Sequence, residues 1–220
     1  MPTIHNQVEL MEQISRIGLL PLLDSGIAGY SAEAMADADC RYTLLPDGGW
    51  DWPLWKWKGP VLADGSCVYG KFFAGKAGFV SREWWPDFCN HRRHTHPAPA
   101  EGSVEEAILL TLAEQGSLIT RELRAACGFT GRGMRSRFDA YVTRLEMGCR
   151  IVTADFVYPV DKHNREYGWG WSLLTTPEQL MGREACRCAH TPQESYSILC
   201  DHLHRLLPSA SEQQIARLLK

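Results

Sequence analysis

Three amphipathic runs between residues 103 and 148, each followed by a glycine, constrain this chain most, because what comes after them is plainly not helical. The first opens on Ser103 and Glu106, the S-x-x-E spacing at which two side chains satisfy free backbone donors at a helix start. Val104, Ile108, Leu109 and Leu112 follow at helical spacing, and Gly116 is placed to close the run in a left-handed conformation. The second run fits Thr120 to Cys127, with Ile119, Leu123 and Ala126 on one side and Gly128 after it. In the third, "CGFTGRGMRSRFDAYVTRLEMG", Met134, Phe138, Tyr141, Val142 and Leu145 make one continuous face, and Gly148 stops it.

The next stretch, "RIVTADFVYPV", is rich in β-branched and aromatic residues. "YGWGWSLL" alternates, with Tyr167, Trp169, Trp171 and Leu173 on one face, which predicts a strand packed on one side. The polar "DKHNRE" between them makes the pair a hairpin. Three helices and a hairpin follow the order of a winged-helix domain. A seam rich in proline, small and polar residues, "HRRHTHPAPAEGS", precedes this unit, and helical pattern resumes after Pro177 through "ESYSILCDHLHRLL" and "SEQQIARLLK". The expected fold is therefore α+β. It has an aromatic-rich N-terminal α/β region at residues 1–100, a winged helix-turn-helix module at 101–176 and a helical tail at 177–220 packed on the rest. Within the first region, Gln7 to Ile17 reads as a helix and "CVYGKFFAGKAGFVS" as two strands around Ala74-Gly75. "WDWPLWKWKGP" has no readable period.

The chain of 220 residues carries a net charge of −3, so no global field draws it to nucleic acid or anionic lipid. No stretch approaches the roughly 18 apolar residues of a membrane span, and the start lacks the basic-then-apolar pattern of a secretory signal. Eight scattered cysteines in a chain this long read as free thiols. A cytoplasmic protein with no membrane partner is expected.

Local charge is more telling. Between residues 118 and 150 seven arginines face three acidic residues, a balance of +4, although residues 103–176 are balanced overall. Turning the apolar stripe of the third helix inward sets Arg132 and Ser136 outward, flanked by Arg137 and Arg144. In a helix-turn-helix that face enters the major groove, where arginine pairs with phosphate or guanine. Lys162 and Arg165 at the hairpin tip suit the flanking backbone. DNA is thus the expected partner, with a winged helix used only for protein association as an alternative. Trp50, Trp52, Trp55 and Trp57 are interleaved with lysines, a pattern that either fills a core or stacks on unpaired bases. Trp52, Trp55, Trp57, Lys71 and Lys76 are the residues for a base-stacking pocket. Cys186-x-Cys188-x-His190, Cys200-x-His202-x-His204 and Cys89, His91, His94 and His96 offer the ligand types zinc prefers. None has the C-x2-C spacing, and on a helix i and i+2 point apart, so no metal and no cofactor is expected. No hydrolase, phosphate-loop or metalloprotease motif occurs, so no catalytic residue is assigned.

At "DWPLWKWKGPV", "VYGKFFAGKAGFVSREWWPDF" and the following "RR", the chain resembles the AlkZ-related family of small bacterial proteins, chiefly from about Trp50 to Leu174 and more weakly into both ends. The wider group includes tandem winged-helix DNA glycosylases that excise alkylated or cross-linked bases. The resemblance implies a nucleic-acid partner, and the expected function is DNA binding linked to DNA repair or transcription regulation. If the chain is an enzyme, it implies a glycosylase-like hydrolase that cleaves an N-glycosidic bond. Those enzymes set a Gln-x-Gln or Gln-x-Asp pair beside the scissile bond, and the glutamines here form no such pair.

Overall fold

The computed structural model describes residues 2–46 and 48–220. Helix α1 (Gln7–Ile17) starts where the Asn6 side chain accepts from Glu9 N, and it buries Leu10, Ile14 and Ile17. Strand β1 (Leu19–Pro21) follows, then the short α2 (Ala32–Met35), capped by Ser31, and a single 3-10 turn at Ala38–Cys40. The tryptophan-rich stretch supplies one strand and one helix. β2 (Thr43–Leu44) and β3 (Trp50–Asp51) form a small two-stranded sheet, and α3 (Pro53–Ala63) follows at once. Pro53 opens α3 where a missing N–H costs nothing, whereas Pro60 lies inside it, which is why the segment shows no clear helical pattern.

β4 (Cys67–Phe73) and β5 (Lys76–Ser81) are the expected hairpin, turning at Ala74 and Gly75 with φ of 51° and 77°. α4 (Trp85–Thr95) then leads through residues 96–103 to α5 (Val104–Gln115). The Ser103 hydroxyl accepts from Glu106 N, but the Glu106 carboxylate reaches Gly102 N, one residue earlier than a closed capping box requires. β6 (Leu118–Ile119), α6 (Thr120–Ala126), α7 (Met134–Met147), β7 (Val152–Val157) and β8 (Trp171–Thr175) complete this part. The tail comprises α8 (Pro177–Met181), a 3-10 turn at Arg183–Cys186, α9 (Pro192–Leu206) and α10 (Glu212–Leu219).

The chain is thus a mixed α/β structure built on antiparallel sheets. The larger sheet has six strands among the described residues, in the order β1-β5-β4-β7-β8-β6. Its two halves meet at one partnered pair, Tyr69 and Thr153. On either side of that join lies a separate apolar cluster. One gathers Leu20, Phe72, Phe79, Trp85 and Phe88 with Leu199, Leu203 and Leu219 of the tail. The other gathers Ile108, Leu112, Leu123, Phe138, Val142, Leu145 and Leu174. No helix among the described residues is long and apolar enough to cross a membrane.

One local expectation is corrected. The alternation of "YGWGWSLL" is not a strand as far back as Tyr167. Gly168 and Gly170 take φ of 76° and 72°, which breaks the extended backbone, and β8 begins only at Trp171. Tyr167 and Trp169 are consequently 58% and 46% exposed, and the buried strand residues are Leu174 and Thr175. Gly148 does stop α7, as its C-cap with a negative φ, and the left-handed residue is the next one, Cys149, with φ of 52°.

Candidate nucleic-acid interface

Helix α7 is amphipathic because Phe138, Val142 and Leu145 fall on one stripe, and burying that stripe fixes which residues face away. Arg132 is not on the helix. It lies in the turn just before the N-cap Gly133, whose φ of 76° suits glycine. Arg132, Arg135, Ser136 and Arg137 are all exposed. Arg135 approaches Asp139 at 3.7 Å, a surface pair one turn along. The far half of the same face is covered. Lys71 on β4 sets its ammonium 3.2 Å from the Thr143 hydroxyl and 3.5 Å from Glu146, and its backbone N–H donates to Glu146 at 3.3 Å. Burial raises the Glu146 carboxyl above its ordinary value, against the pull of Lys71. Arg144 is held by Glu105 at 2.6 Å and lies over the Tyr141 ring at 4.7 Å.

Beside the open half runs a crevice of about 150 Å³ between α6 and α7, lined by Thr120, Arg121, Arg124, Arg135, Asp139 and Trp171. Arg121 lies over Trp171, the first residue of β8, at 4.9 Å. The base of the β7–β8 loop is therefore continuous with the arginines of both helices. At the loop tip Asp161 accepts from the backbone of His163 and Arg165 and pairs with the Arg165 guanidinium at 2.8 Å. Lys162 is exposed and without a partner among the described residues. Of the sequence candidates, Arg132, Ser136, Arg137 and Lys162 are open to solvent, while Arg144 and Arg165 are engaged by carboxylates.

The tryptophans meet this loop from the other side. Trp50 lies flat on Trp169, with centroids 4.2 Å apart and planes 6° from parallel. Trp55 stacks on Trp52 at 5.0 Å and donates from Nε1 to the Trp169 carbonyl at 3.1 Å. Trp52 is buried, whereas Trp50, Trp55 and Trp57 are half-buried. Against the ledge opens a pocket of about 520 Å³ whose walls include Trp50, Trp55, Lys56, Tyr158, Glu166 and Tyr167. Among the five pocket residues expected from sequence, Trp55 alone lines it. Lys71 is engaged on α7, and Lys76 reaches the Asp24 carbonyl at 2.7 Å in a separate depression.

Lys58, which sequence reasoning missed, is fully buried behind this wall. Its ammonium lies 3.8 Å from the Trp55 ring centroid, 3.6 Å from that of Phe156 and 3.5 Å from the Tyr158 hydroxyl. Burial among rings pulls its pKa down to about 7. The signal in the sequence was a lysine one turn inside a tryptophan helix, indistinguishable there from the exposed Lys56.

A family model described as AlkZ related matches residues 4–220. The chain belongs to the AlkZ-related family. The match extends beyond the stretch from Trp50 to Leu174 toward both ends of the chain. No curated protein and no solved structure matches. In this AlkZ-related chain the Arg-Arg pair that closes the sequence resemblance is internal. Arg92 donates from Nε to the Met147 carbonyl at 2.7 Å and from Nη1 to that of Leu219 at 3.0 Å. Arg93 donates to the Cys149 carbonyl and pairs with Glu178 at 2.6 Å. Both arginines hold the end of α7 against the tail.

Proposed function

We propose that this chain binds DNA through a winged helix spanning residues 101–176, with α7 presented to the duplex. The element order α5, β6, α6, α7, β7, β8, with β8 paired between β6 and β7, supports the winged-helix reading. The observation that carries the proposal is the joint exposure of Arg132, Arg135 and Arg137 at the uncovered end of α7. A helix of this kind enters the groove by its N-terminal half, and guanidinium forks there meet phosphates or the O6 and N7 of guanine. Lys162 meets the flanking backbone from the wing. Arg144 and Arg165 contribute little, because each must first leave a carboxylate. Membership of the AlkZ-related family adds a relation to DNA repair.

The test is a fluorescence-polarisation titration against plain, alkylated and single-stranded oligonucleotides at two salt concentrations. Binding that weakens steeply with salt is expected. No binding to any of the three, together with a stable oligomer, overturns it in favour of protein association.

A second reading, base excision, draws on the aromatic pocket beside the wing, where an extruded base finds rings to stack on and Lys56 and Glu166 at its rim. Incubation with alkylated duplex and assay for released base tests it; release no faster than without protein retires it for those lesions.

A further inference from the structure

Away from that surface, three side chains of metal-binding type converge where α4, the segment after the 3-10 turn and the start of α9 meet. Asp87 Oδ1 stands 2.8 Å from His190 Nδ1 and 3.3 Å from Cys188 Sγ, and those two stand 3.8 Å apart. We infer that Asp87, Cys188 and His190 form a tetrahedral site for Zn²⁺, with water as the fourth ligand.

The arrangement is wrong for a proton relay. In a Cys-His-Asp relay the carboxylate and the thiol use opposite nitrogens of the ring. Here both approach Nδ1, so two anionic ligands and one imidazole nitrogen surround a single point. Zinc bonds of about 2.3 Å to sulfur and about 2.0–2.2 Å to nitrogen and oxygen give tetrahedral edges of about 3.4–3.6 Å. The three observed edges need to change by only about 0.2–0.6 Å to meet them. The i, i+2 spacing of Cys188 and His190 chelates because residues 187–191 are not helical, whereas Cys200, His202 and His204 lie along α9 and point apart. His202 there stacks on Trp84 and bonds the Ile17 carbonyl.

The supporting shell is in place. Ser195, fully buried, donates to Asp87 Oδ1 at 2.7 Å, and the Asn90 amide donates to both Ser195 Oγ and the His190 carbonyl. Such outer contacts orient the Asp87 carboxylate and anchor the backbone that carries His190. His190 keeps 47% of its side chain exposed, which leaves an entry path and room for the water. On binding, the Cys188 thiol gives its proton to solvent and the thiolate takes the metal, so uptake releases a proton. The bound ion joins the tail to α4 by coordination as well as by packing.

The full-length protein, stripped with a chelator, is titrated with Co²⁺ alone. One equivalent with tetrahedral absorption and a thiolate-to-cobalt charge-transfer band is expected, both displaced by Zn²⁺. Cys188→Ser removes the charge-transfer band, and His190→Ala weakens Co²⁺ at least tenfold while keeping the wild-type circular dichroism. Cys200→Ser changes neither. An octahedral spectrum without the thiolate band overturns the site. So does a charge-transfer band that survives in Cys188→Ser, which points instead to the neighbouring thiols Cys89, Cys149 and Cys186.

Discussion

Trp50 and Trp169 stack within 4.2 Å at 6°, and this contact joins the N-terminal tryptophans to the loop between β7 and β8. Trp169→Ala removes the stack but keeps the backbone carbonyl that holds Trp55. The stability loss is expected to be small, about 1 kcal/mol, with a marked change in near-ultraviolet circular dichroism. If the ledge receives an unstacked base, affinity for single-stranded DNA falls by about 1–3 kcal/mol while duplex affinity holds. Equal affinity of the variant for single strands removes the ledge from the interface.

The exposed arginines make a separable prediction. Each phosphate contact contributes about 0.9 to the slope of log affinity against log salt. Arg132→Ala with Arg137→Ala is expected to lower that slope by roughly two such steps, whereas Arg165→Ala, already paired with Asp161, changes it much less. Titrations at several salt concentrations read this directly. An unchanged slope in the double variant moves the duplex off α7.

Lys71 and Glu146 couple β4 to α7, and burial sets the sign of their pH dependence. The folded Glu146 carboxyl holds its proton above the ordinary range. The stability it contributes is therefore present at low pH and lost as pH rises through the folded value. Lys71→Met takes away the cation beside Glu146 and makes that loss larger, by about 1 kcal/mol at neutral pH, because the lysine is partly exposed. Glu146→Gln abolishes the dependence, and the double variant regains most of what Lys71→Met loses. Urea unfolding across the acid-to-neutral range, run as a double-mutant cycle, measures the coupling. A coupling of zero shows that the two residues act independently.

What was legible in the sequence was periodic. The stripe through Phe138, Val142 and Leu145 placed α7, and the paired apolar runs around Ala74 and Gly75 placed the β4–β5 hairpin. Where a local backbone choice overrode the period, the reading failed. Gly168 and Gly170 leave the extended region, so an alternating pattern became a loop that carries Trp169 out to Trp50. Long-range pairing was invisible in principle. Arginines 144 and 137 look alike in a helical wheel, yet only the first meets Glu105 from another helix. The same holds for Lys56 and Lys58 on α3, one paired with Asp51 at the surface and the other sealed among rings.

Lys58 is where that difference is measured most sharply. Its folded pKa of about 7 lies below the ordinary 10.5, so the folded chain binds the proton more weakly than the unfolded chain. Between those values unfolding takes up a proton, and stability rises with pH at up to about 1.4 kcal/mol per pH unit. Below about pH 7 both states are charged and the penalty for the buried ammonium is fully present. Methionine ends one atom short of the ammonium and favours aromatic neighbours, so Lys58→Met leaves an apolar chain end facing Trp55 and Phe156 in place of the charge. The variant is expected to be more stable than the parent at pH 6–7, and the two curves converge as pH approaches 10. Urea unfolding at intervals from pH 6 to pH 10 gives both curves. Parallel curves mean that the Lys58 ammonium is hydrated in the folded protein and that the aromatic wall in front of it is open to water.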